Sequence, residues 1–182
     1  SYIPSYHPFH LYMDELPAWD GRDRLTALAL RVSCRPLWVQ GFHTWMLGLA
    51  SQWMDQSGLH ANSVAPILVS REQGRRKSTF CRSLMPDVLM RYYTDNLKLT
   101  SQGQAERLLA EMGLLNMDEF DKYAENKMPL LKNLMQMSTL NIRKAYQQNF
   151  RQLPRVAHLS AQATASTCSP TRRAAAVSYA WK

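Results

Sequence analysis

Val64-Ala65-Pro66-Ile67-Leu68-Val69-Ser70-Arg71-Glu72-Gln73-Gly74-Arg75-Arg76-Lys77-Ser78-Thr79 is the stretch whose reading decides the fold. Residues 64–69 form a short apolar, β-branched run, the pattern of a buried strand. A polar loop containing Gly74 follows, and Lys77-Ser78-Thr79 leads into a helical segment over residues 80–85. Strand, loop, Lys-Ser and helix in this order form the layout of a phosphate-binding loop. Backbone N–H groups face the phosphates, the lysine reaches the β and γ oxygens, and the serine hydroxyl ligates Mg²⁺. In the pattern G-x-x-x-x-G-K-[ST], Lys77 and Ser78 stand in place. Arg71 and Arg76 occupy the two glycine positions, and Gly74 supplies the flexible point between them.

Working outward, a second half of such a site lies downstream. Residues 101–111 read as a helix with Ser101 as its N-cap. They are followed by Met112-Gly113-Leu114-Leu115-Asn116-Met117-Asp118-Glu119, an apolar strand ending in two adjacent acids. In nucleotide chemistry the first acid holds Mg²⁺, often through water, and the second polarises the attacking water. A strand ending in a solvated acidic turn has the same appearance. The spacing from Lys77-Ser78, across one helix, is what joins Asp118-Glu119 to the loop.

Upstream, residues 9–16 and 25–32 have helical spacing. Residues 38–55 carry Trp38, Phe42, Trp45, Met46, Leu49 and Trp53 on one stripe, which reads as core packing rather than a base-stacking surface. Downstream, residues 129–137 read as a helix. Residues 138–146 hold Arg143 and Lys144, either contacts to phosphate or DNA or an exposed basic loop, and Arg155-Val156-Ala157 starts a further strand. The fold class that follows is α/β: an N-terminal helical segment, then a parallel P-loop sheet with flanking helices.

The 182 residues are enough for one sizeable core,. A net charge of +8 favours an anionic partner, nucleic acid or nucleotide,. Cys34, Cys81 and Cys168 are too widely spaced for a disulfide framework or metal site, which fits a reduced, cytoplasmic setting,. No apolar run reaches the roughly 18–20 residues of a membrane span, and no secretory leader is visible. The start at Ser1 is what a piece of a longer protein would show.

The order of these elements resembles the virulence-associated protein E-like P-loop domain of phage, plasmid and transposon proteins. His7-Pro8-Phe9, Leu16-Pro17-Ala18-Trp19-Asp20-Gly21-Arg22, Gln73-Gly74 with Lys77-Ser78-Thr79, Leu115-Asn116-Met117-Asp118-Glu119, and Arg151-Gln152-Leu153-Pro154-Arg155-Val156-Ala157 carry the resemblance. Leu-Pro-x-Trp-Asp-Gly is its most specific part, since nucleotide chemistry does not demand it. The resemblance implies an ATPase related to superfamily-3 helicases and AAA+ proteins, using ATP and Mg²⁺, acting on DNA, assembling as a homo-oligomer, and often found beside a primase-like domain. It implies phosphate contacts from Gln73, Gly74, Arg75, Arg76, Lys77, Ser78 and Thr79, and Mg²⁺ at Ser78 and Asp118. Asp118 and Glu119 would be its acid pair; in an ATP-dependent motor of this kind Glu119 would be the base, and Arg143 a trans-acting or sensor arginine.

The resemblance divides the chain into a helical segment (1–60), an NTPase core (61–157) and a remainder (158–182). Family members continue with a Gly-Thr-(Ser/Thr)-Asn sensor run and, in some, a Gly-Ser-Arg-Arg-Phe segment. Residues 158–182 hold neither; they are rich in Ala, Ser and Thr, contain no acid, and read as a frameshifted or disordered tail. Codons for that tail, read one base out of register, permit both missing segments. The expectation is therefore a truncated, incomplete sheet that lacks its sensor strand and hydrolyses poorly. The alternative functions are a non-enzymatic nucleic-acid-binding module whose loop is a basic patch (Arg71, Arg75, Arg76, Lys77, Arg82), or an inactive truncated product.

Overall fold

The computed structural model describes residues 7–55, 63–70, 72, 74–97, 99, 102–123, 125–143 and 150–164. Proline opens α1 (Pro8–Asp14) and α3 (Pro36–Trp53), where its fixed φ suits the first helical turn and its missing N–H costs nothing,. Between them, α2 (Arg24–Leu30) begins at Asp23, whose carboxylate accepts the Thr26 N–H at 2.9 Å,. Strand β1 (Ile67–Ser70) leads through the loop to α4 (Lys77–Ser83). A 3₁₀ turn (Asp87–Tyr92) then delivers the short β2 (Tyr93–Thr94). Helix α5 (Gln102–Glu111), β3 (Leu114–Met117), two 3₁₀ turns (Phe120–Lys122 and Glu125–Lys127), α6 (Met128–Gln136), β4 (Thr139–Arg143), β5 (Phe150–Pro154) and β6 (His158–Thr164) complete the described order. The capping residue expected for α5, Ser101, lies outside the described residues.

Strands β1, β6, β3 and β2 pair in that order, all parallel. A parallel sheet needs both faces covered, and the pleat of β3 shows how this is met. Leu115 and Met117 face a core built with Leu109 of α5 and with Leu131 and Leu134 of α6. Leu114 faces the opposite core, with Phe9 of α1, Trp45, Leu49 and Trp53 of α3, and Met85. Every residue of β3 is buried. The aromatic stripe of α3 is therefore core, as its spacing indicates. Its indoles also reach the sheet: Trp45 Nε1–H donates to Leu159 O (3.1 Å), and Trp53 Nε1–H to Gly113 O (3.2 Å). Gln52 Nε2 donates to Arg155 O (2.8 Å). The N-terminal helices are thus one face of the domain.

Two expectations need correcting. Residues 158–164, assigned to a non-native tail, form β6, which sits between β1 and β3 and pairs with both. Ala161 and Ala163 are buried at 0% and 2% exposure, so small side chains let α5 and α6 close on this central strand. The pairing partner expected to be missing is present. Strands β4 and β5 pair antiparallel, Thr139 opposite Pro154 and Arg143 opposite Phe150, so residues 139–143 are a strand and not an exposed basic loop, and the strand expected to start at Arg155 begins at His158. Leu140 and Ile142 turn inward at 0% and 7% exposure, which drives β4 to pair.

Among the described residues, no helix is long and apolar enough to cross a membrane.

Candidate functional site

Because β1, β6 and β3 run parallel, their C-terminal ends open on one edge of the sheet. Ser70 closes β1 opposite Thr164, and Met117 closes β3 opposite Ala161. That edge therefore gathers the loop after β1, residues 162–164 of β6, and the acids after β3. In open α/β sheets, ligands bind in the crevice at these strand ends.

The loop is held by its own polar groups. Lys77 Nζ donates to Ser70 Oγ at 2.6 Å, and Ser70 Oγ in turn donates to Glu72 O at 2.6 Å. Arg75 pairs with the Glu72 carboxylate at 2.6 Å, at an exposed position. Gly74 adopts φ +77°, and a side chain there would meet open space. Arg76, at the second glycine position of the phosphate-loop pattern, adopts φ 55°, ψ 25°, the left-handed conformation that glycine takes without strain,. Lys77 is half-buried, and Ser78 and Thr79 are exposed in the first turn of α4.

The acids sit in a tight turn. Glu119 is also left-handed (φ 49°, ψ 46°), and Asp118 Oδ1 accepts its N–H at 2.8 Å. Both carboxylates are exposed. Lys122 Nζ pairs with Glu119 at 2.5 Å, and that hydrogen bond raises the lysine pKa above its usual value. Asp121 Oδ1 accepts the Thr164 N–H at 3.4 Å, tying the acidic turn to the end of β6. Beneath lies Cys81 of α4, buried; loss of solvent, with a smaller push from the Asp118 charge, drives its thiol up to about 11. Three described non-glycine residues have positive φ: Asp55, Arg76 and Glu119. Two of the three are at this edge.

The structure thus brings Gly74, Arg75, Arg76, Lys77, Ser78 and Thr79 to the same sheet edge as Asp118 and Glu119. Gln73 and Arg71 lie outside the described residues. Arg143 is not on this edge of the sheet: it ends β4, opposite Phe150 in the two-stranded sheet. Sequence reasoning missed Ser70, the partner of Lys77, and Gln162, which meets the Ser78 hydroxyl. A hydroxyl at the end of the strand before the loop was the available signal for the first. Nothing local marked the second. Among the described residues, no three His, Cys, Asp or Glu side chains gather as a metal cluster. Ser78 and Asp118 offer two oxygen donors, which suits Mg²⁺, a cation that keeps several waters and takes its other ligands from phosphate.

A family model, the virulence-associated protein E-like domain, matches residues 13–164. Its match runs through β6, past the boundary drawn at Ala157. Among solved structures, the chain is similar to "The apo structure of NrS-1 C terminal region (305-718)", with a TM-score of 0.55 and 14% identity. The match covers 90% of this chain and 37% of that one, so the chain spans little more than a third of that structure's length. At this identity the likeness is one of fold. No curated protein matches the chain.

Proposed function

The chain belongs to the virulence-associated protein E-like domain family, and from that premise we propose that it is the nucleotide-binding part of a DNA-associated P-loop ATPase, of the helicase- and primase-associated type, serving replication of a mobile element. One observation carries the reading. A lysine, a hydroxyl and two acids, found at motif spacing in the sequence, follow the C-terminal ends of β1 and β3, parallel strands separated by β6 alone.

In this reading Lys77 binds the β- and γ-phosphates. The Ser70 hydroxyl, its present partner, is the group that a phosphate oxygen would displace. Lysine suits the task as a compact point charge on a flexible stem. Ser78 and Asp118 would hold Mg²⁺, which when bound neutralises phosphate charge. Glu119 would orient and deprotonate the attacking water, and for that it must exchange its pairing with Lys122. Open space at Gly74 leaves room for a phosphate to approach the backbone,. The antiparallel pair β4–β5, bearing Arg143 and Arg151, is the proposed DNA contact, and Arg143 the proposed sensor or trans-acting arginine. The whole protein is proposed to be a homo-oligomer carrying further domains.

ATP turnover tests the reading. The chain, or the longer protein containing it, is expected to hydrolyse ATP with Mg²⁺. Lys77→Ala should abolish turnover, and Glu119→Gln should lower it at least about a hundredfold while sparing binding. Turnover unaltered in Lys77→Ala would exclude this site.

A second reading, a nucleic-acid-binding module with a basic loop, draws on Arg76 in place of glycine and on the exposed Arg75 and Arg82. DNA binding that persists at saturating ATP, with no nucleotide bound in titration, would favour it.

A further inference from the structure

Gln162 belongs to no motif, yet it is the side chain that meets the serine of the loop. It lies on β6 at 2% exposure. Its Nε2–H donates to Ser78 Oγ at 2.9 Å, and Ser78 O–H reaches its Oε1 at 3.2 Å. These are the two ways in which one hydroxyl can meet one amide. A cation bound to Ser78 Oγ occupies a lone pair and favours the form in which the hydroxyl donates. The amide therefore allows Ser78 to change role without leaving its place.

The rest of β6 makes this contact a built one. His158, Ser160 and Gln162 stand two residues apart on one buried face, at 0%, 1% and 2% exposure. The His158 ring lies 5.4 Å from that of Trp45 in α3. Ser160 Oγ donates to Asn116 Oδ1 on β3 at 3.1 Å and also engages the Cys81 thiol of α4. The row thus fixes the position of β6 against α3, α4 and β3. An apolar residue at 162 would avoid the cost of burying an amide. A glutamine whose donor and acceptor both address one hydroxyl is better explained by that hydroxyl's task.

We propose that Gln162 is a positioning residue for Ser78, holding its hydroxyl where it ligates the Mg²⁺ of a bound nucleotide; this rests on reading the loop as a phosphate site. The test is titration of a fluorescent ATP analogue, with Mg²⁺ and with EDTA, monitored by anisotropy. Wild type should bind more tightly with Mg²⁺. Gln162→Leu should lose about tenfold in affinity with Mg²⁺, some 1.4 kcal/mol, and less than about twofold with EDTA. Ser78→Ala should show the same selective loss, and the double variant should be no weaker than either single one. Gln162→Glu, which keeps an acceptor oxygen, should retain the Mg²⁺ gain. Gln162→Met repeats the test at equal length if the leucine variant melts without cooperativity.

A Gln162→Leu or Gln162→Met protein with the full Mg²⁺ gain would overturn the proposal while leaving the loop's function standing. So would losses that multiply in the double variant. Wild type that binds no nucleotide under either condition would overturn the loop reading, and this inference with it.

Discussion

Arg76 shows at one residue how a left-handed backbone position is filled without glycine. A left-handed, non-glycine backbone costs roughly 1–2 kcal/mol, and Arg76 accepts that conformation at the N-cap of α4. Arg76→Gly removes the strain but adds freedom to the unfolded chain at a similar cost. Its stability should therefore stay within about 1 kcal/mol of wild type by urea melting, while nucleotide affinity is kept or raised. A large loss of affinity would show that the guanidinium itself is required. His158 supports a second prediction. Burial, with the nearby Arg155 charge, depresses its pKa well below the usual histidine value. The folded state then binds fewer protons than the unfolded one, so stability is full above about pH 6.5 and falls as pH drops below it. The slope should be up to about 1.4 kcal/mol per pH unit for this proton. His7, also depressed, first by burial, acts in the same direction. Urea midpoints at pH 7.5, 6.5 and 5.5 check this, and His158→Gln should flatten the slope. Residue types at fixed spacing made Lys77, Ser78, Asp118 and Glu119 legible in the sequence. Gln162 was not, because its partner Ser78 lies 84 positions away.

Elements were legible where one face was apolar and obscure where a polar face was buried. The stripe of α3 and the run of β3 carried their own evidence. Strand β4 has a readable pattern, since Leu140 and Ile142 alternate with Thr139, Asn141 and Arg143, but the adjacent charges of Arg143 and Lys144 suit an exposed loop equally well. Strand β6 is the hard case. His158, Ser160 and Gln162 suggest a solvated stretch, and only the partners on α3, α4 and β3 explain why they are inside. The docking of α3 onto β6 gives an element-scale prediction. Trp45→Phe keeps most of the ring packing but leaves Leu159 O without its indole donor in the core. It should cost about 1–3 kcal/mol, read as a lower urea midpoint at unchanged slope. Trp19→Phe, at a position 79% exposed, should change stability by less than about 0.5 kcal/mol. Equal effects from the two substitutions would contradict this account of α3.

At the scale of the molecule, the parallel sheet and its flanking helices follow from the order of strand, loop, helix and acidic strand end. The position of the last strand does not, because β6 inserts between two strands that precede it in the chain. The net charge of +8 belongs to the DNA reading. Arg151, exposed on β5, is proposed to contact phosphate, so Arg151→Glu should weaken DNA binding similarly across sequences and reduce the salt slope by about 1. The edge formed by Lys77, Ser78, Asp118 and Glu119 is proposed to bind nucleotide phosphates. Calorimetric titration of Mg·ATP into the wild-type chain and into Lys77→Ala tests it most directly. Saturable one-site binding to wild type, weakened at least about a hundredfold, or some 2.7 kcal/mol, by the substitution, is the predicted result. Equal affinity of the two proteins for Mg·ATP, or no binding to the folded wild type, would contradict it.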